Sequence, residues 1–160
     1  MSNAAIEARE VAAAAARKEE AATCVSNARN QLAVFGDKTR QYDGDVAEWD
    51  AGQASLTTNL ANLDRNAGMC TDEVELCALR LAQAERRGEF GSALDAPTAN
   101  LAAASDRLTK TQRDQARASK KLAGIKAKLK EVNAVRLKIA AERKRLQGVV
   151  VAAEAAFSSV

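Results

Sequence analysis

The chain has 160 residues, with 24 basic and 21 acidic side chains, 47% apolar residues, five aromatics and no histidine. Without histidine it lacks the commonest general base and the commonest metal ligand. Much of the apolar share is alanine, which supplies too little bulk for a deep globular core but suits thin helix-on-helix packing, and a single proline leaves long helices uninterrupted.

Residues 1–24 contain an AAAAA tract, a strong helix former, but their apolar spacing is irregular. They are expected to form a helical overhang, available to another helix or to a second copy of the chain. From Val25 the pattern changes. Steps of three and four residues run from Val25 and Ala28 to Cys77 and Leu81, and fifteen of these seventeen positions are apolar. Random placement would give roughly eight at this composition, and a heptad sustained without a phase shift indicates a coiled-coil seam. Phe35, Tyr42 and Trp49 lie on it one heptad apart. This predicts a first helix over residues 25–86.

Gly36, Gly44 and Gly52 lie inside that helix, the first two in the polar string GDKTRQYDGD. Each costs a helix about 1 kcal/mol relative to alanine, and Asp-Gly marks turns. A break near 36–44 would give an elongated three- or four-helix bundle, a surface or binding domain in which Cys24 could meet Cys70 or Cys77 in a disulfide. The intact heptad phase, with no glycine on the seam, favours a continuous helix instead.

The segment 87–96 carries Gly88 and Gly91, which stop a helix, and Asp95 with Pro97 provides a restart. A second helix is predicted over residues 97–160, about 95 Å at 1.5 Å per residue. Its seam runs from Leu101 to Val160, with fourteen of eighteen positions apolar. A short turn between two such helices folds them antiparallel. The expected fold is therefore all-α, a long antiparallel coiled-coil hairpin forming one helical domain.

Charge supports the pairing. Residues 1–95 hold ten basic and sixteen acidic side chains; residues 96–160 hold fourteen and five. Opposite signs suit an intramolecular pair, with Asp37, Asp43, Asp45, Glu48 and Asp50 expected near Arg136, Lys138, Arg143, Lys144 and Arg145. Arg136 and Arg143 sit on the seam itself. One register sets Tyr42 against Arg143 and Trp49 against Arg136; another sets Phe35 against Arg143 and Tyr42 against Arg136. Both predict guanidinium–aromatic stacking, with snorkelling of the arginines to solvent as the alternative.

No phosphate-binding glycine loop, metal-protease helix motif or nucleophile elbow is present. The chain is expected to be non-enzymatic, with no cofactor, no metal and no small-molecule substrate. The lysine-rich stretch 120–145 has no interleaved aromatics, and its neutralisation by the acidic first helix argues against a nucleic-acid or membrane-surface partner. Cys24, Cys70 and Cys77 lack CxxC spacing and are expected as small apolar filler; their odd number leans toward a reducing compartment. No apolar run is long enough for a membrane span, and no signal-peptide pattern is present.

The strongest site candidate is the turn, where Arg86, Arg87, Phe90 and Leu94 offer the residue types used by interaction hot spots. In the alternative, Phe90 and Leu94 fold back onto the end of the helix pair. The stretch RLAQAERRGEFGSALDAPTANLAAASDRL resembles, with a one-residue shift, the hairpin tips of periplasmic adaptor proteins of efflux and type I secretion systems. The matching positions are Arg80, Gly88, Phe90, Ser92, Leu94 and Asp95. The resemblance implies a tip that docks an outer-membrane channel. The expected function is that of a rigid scaffold or spacer binding a protein partner, a second copy of the chain included.

Overall fold

The computed structural model describes residues 3–158, which form two long helices packed against each other as a helical hairpin. Helix α1 spans Asn3–Arg86 and helix α2 spans Asp95–Ser158, joined by a short turn with a 3₁₀ segment, Gly91–Leu94. Helix α1 is continuous through Gly36, Gly44 and Gly52, so the broken-bundle alternative does not occur. At Gly36 and Gly44 nothing lies within 4 Å of where a side chain would begin. They are lone surface glycines whose cost, about 1 kcal/mol each, is spread over a helix of 84 residues.

The described residues group into two units, one of Met1–Ala47 with Lys130–Val160 and one of Glu48–Leu129. The interior of each follows the predicted seam. Val25, Ala28, Ile139 and Leu146 are buried in the first unit; Cys77, Ala84, Ala104, Ala118 and Leu129 are buried in the second. Every predicted seam position from Val25 to Leu81 and from Leu101 to Ala153 is buried or half-buried, whereas Phe157 remains exposed and Val160 lies outside the described residues. Alanine at the tightest points explains why few aromatics suffice: Ala104 has no exposed surface at all.

Register can be read from cross-helix contacts within each unit. In the first, Arg136 pairs with Asp43, and Arg29 with Glu154 at 2.5 Å. In the second, Arg107 pairs with Glu73, Gln115 donates to Asp64 at 2.6 Å, and Gly52 lies beside Ile125. These contacts fit the register that sets Tyr42 near Arg136. The pairing reaches further back than expected: Ala14 and Ala21 border a groove shared with Ala153, Ala156 and Phe157, so the overhang is shorter than residues 1–24.

Two charge expectations need correction. Of the acidic and basic clusters expected to face each other, Asp43–Arg136 is the direct ion pair formed. Asp37 is taken by Arg40 and Arg145 by Glu142, neighbours on their own helices. The Arg145 guanidinium hydrogen-bonded to Glu142 holds that carboxyl below its ordinary range. Neutralisation of residues 120–128 by α1 is likewise absent among the described residues: no lysine there has an ion pair, Lys120, Lys121 and Lys126 facing the uncharged segment 51–63 and Lys128 lying over Trp49 next to Asp50 without pairing with it.

Candidate functional site

The turn is built by two glycines in left-handed conformations, Gly88 at φ 74° and Gly91 at φ 60°. Helix α1 ends as a Schellman motif: Gly88 N–H donates to the Glu85 carbonyl at 3.0 Å and Glu89 N–H to the Ala84 carbonyl at 3.2 Å. A left-handed residue closes such a motif, and glycine takes that conformation without strain. Phe90 follows in an extended conformation and leads into the 3₁₀ turn. Helix α2 then begins at Asp95, two residues before the predicted start, with Pro97 in its first turn, where the missing N–H is harmless.

This geometry separates the two apolar tip residues. Phe90 is 81% exposed, its ring beside Gly88, whereas Leu94 is half-buried. Folding back therefore applies to Leu94 alone. Arg86 and Arg87 are exposed, and neither guanidinium has a hydrogen bond or ion pair among the described residues. An aromatic ring and two free cations thus sit together at the turn. Further along α1, Met69, Leu76 and Leu79 are exposed on the face away from the seam. Met69 and Leu76 stand one heptad apart off the seam, a signal the sequence contained.

The seam cations are arranged differently from expectation. The cation over the Trp49 ring is Lys128, its Nζ 5.8 Å from the centroid, and not Arg136. The guanidinium of Arg136 goes to Asp43, with a further hydrogen bond to Asn133 at 3.3 Å. A carboxylate next to Tyr42 offers a charge-assisted hydrogen bond, which outcompetes the face of a neutral ring. Arg143 also stacks on no ring. Its Nε is buried without a hydrogen-bond partner, and the side chain borders a groove of about 410 Å³ with Thr39, Ala140 and Leu137. Phe35 and Tyr42 are half-buried on the seam, without a cation over either ring.

The cysteines also diverge. Cys77 is buried, as apolar filler requires, whereas Cys70 is half-buried with its sulfur 4.0 Å from the Thr111 hydroxyl, a polar contact. Cys24 is exposed, beside a groove of about 860 Å³ bordered by Gln31, Arg145 and Leu146. It lies beside the seam rather than on it, so burial does not protect it. Among the described residues, no three acidic or cysteine side chains converge as metal ligands, and no helix is long and apolar enough to cross a membrane. Comparison with protein-family models, curated proteins and solved structures found no match to this chain.

Proposed function

We propose that this chain is a non-catalytic coiled-coil hairpin that acts as a scaffold or spacer, presenting its turn to a protein partner. The observation that carries this reading is Phe90, 81% exposed between two left-handed glycines. A phenylalanine held in water gives up a burial free energy of about 1.5–3 kcal/mol, and a helix turn has no local need for it. Arg86 and Arg87 stand beside it without intramolecular partners, and aromatic rings with arginines are the residues that dominate interface energetics. The heptad seams favour a coiled coil over looser helix packing, and such packing would hold the turn in one orientation for its partner.

A photoreactive phenylalanine analogue at position 90, illuminated in extract of the native cells, tests this. The expected product is a discrete adduct that disappears in the Arg86→Ala/Arg87→Ala background and is missing when the analogue sits at Gln41, exposed and far from the turn in sequence. Equal labelling from positions 90 and 41 would sink the proposal, as would an adduct indifferent to the two arginines.

A further inference from the structure

The lysine-rich part of α2 has a geometry that the tip reading does not use. At 3.6 residues per turn, Lys110, Arg113, Arg117, Lys120, Lys121 and Lys128 fall within about 100° of arc and along about 27 Å of helix. All six are exposed. On this face the acidic side chains are Asp114, at its margin and already 3.7 Å from Arg117, and Asp106 and Glu131, which bound the row four residues before Lys110 and three after Lys128 without an ion pair to either lysine.

The other helix does not neutralise them. In this unit α1 supplies Glu73 to Arg107 and Asp64 to Gln115. Past Asp64 it presents residues 51–63, AGQASLTTNLANL, which carry no charge, before Asp50, which lies level with Lys128 but does not pair with it. Lys110, Arg113, Lys120 and Lys121 have no ion-pair partner, and Lys128 has only the Trp49 ring. Uncompensated like charges on one face repel each other, so the row is an electrostatic cost unless an anion covers it.

The surroundings select among polyanions. Membrane-surface helices add a run of exposed apolar side chains to their basic face; here a single large exposed apolar residue, Met69 of α1, borders a groove with Lys110, and none falls between positions 110 and 128. Single-stranded nucleic acid is held by aromatic side chains that stack on bases; the one aromatic here, Trp49, is half-buried beneath Lys128. A straight row of lysines and arginines without stacking or apolar groups matches a duplex phosphate backbone, which is bound by charge alone and without regard to sequence. We propose that the face Lys110–Lys128 of α2 is a sequence-independent docking surface for the phosphate backbone of a nucleic-acid duplex.

The test is fluorescence anisotropy with a labelled 20-base-pair DNA duplex of arbitrary sequence, titrated at 50–200 mM salt. Single-stranded DNA and vesicles containing phosphatidylserine are run in parallel. Six phosphate contacts predict an affinity that falls roughly 10³-fold over that salt range. The variant K110Q/R113Q/K120Q/K121Q leaves two contacts, and its affinity should fall only about tenfold over the same range, from a starting point at least about a hundredfold weaker. The variant K18Q/K126Q/K130Q/K144Q removes the same charge from other positions and should bind as the parent does; circular dichroism checks that both remain helical. Equal losses in the two variants would reduce the effect to net charge and overturn the proposal. Vesicle or single-strand binding tighter than duplex binding, or duplex binding that survives the first variant, overturns it too.

Discussion

Arg143 offers the sharpest test of how the seam is packed. Its Nε is buried and unbonded, whereas Arg136, one heptad earlier on the same seam, is satisfied by Asp43 and Asn133. An unsatisfied buried donor costs about 1–3 kcal/mol. In Arg143→Met the thioether keeps most of the aliphatic stem at the seam, beside the groove bordered by Thr39 and Ala140, while removing that donor. After some loss of contact from the shorter side chain, the net gain should be about 1–2 kcal/mol. At this chain length that corresponds to a melting temperature about 3–6 °C higher. Urea unfolding followed by the helical signal at 222 nm should show a higher midpoint with an unchanged slope. Arg136→Met is the paired control. It removes a half-exposed ion pair worth up to about 1 kcal/mol and should lower the midpoint. A lower midpoint for Arg143→Met, or shifts of the same sign in both variants, would refute the reasoning.

Three further outcomes follow from the packing. Gly36→Ala and Gly44→Ala, where a methyl group meets open space, should each stabilise the chain by about 0.5–1 kcal/mol; Gly88→Ala, at φ 74°, should destabilise by about 1–2 kcal/mol, all read from urea midpoints. Ala104→Leu places three extra heavy atoms where no surface is exposed, and overpacking should cost about 1–3 kcal/mol in the same assay. Maleimide labelling followed by peptide mass spectrometry should modify Cys24 first, Cys70 more slowly and Cys77 last, in the order of their burial; labelling of Cys77 at the rate of Cys24 would contradict its burial on the seam.

The hairpin was legible because its determinant is periodic. A heptad repeated without a skip specifies which side of each helix loses water, and each position it marked from Val25 to Leu81 is buried or half-buried. The turn was legible for a similar reason: glycine at Gly88 and Gly91 answers a backbone requirement, and both adopt left-handed conformations. Pairings beside the seam were much less so, because they are competitions among neighbours. Arg136 lies near Tyr42 as one of the two registers required, yet its guanidinium takes the adjacent Asp43 carboxylate. Trp49 receives Lys128, a residue flanking the seam, in a stretch where Gly52 contributes no side chain.

Averaging explains the other failure. Net charges of opposite sign on the two halves of the chain suggested that α2 is neutralised along its length. Salt bridges act at contact distance, and exposed charges more than about 10 Å apart are largely screened at ordinary ionic strength. Neutralisation is therefore a local property. The acidic residues of α1 are concentrated at Asp37–Asp50 and again from Asp64 onward, while the lysines of α2 are dense from Lys120 to Lys128. The register sets Lys120, Lys121 and Lys126 against the uncharged interval between the two acidic groups, with Lys128 at its edge over Trp49. Both distributions are visible in the sequence, but only the register makes their mismatch physical, and it leaves a row of cations that α1 cannot satisfy.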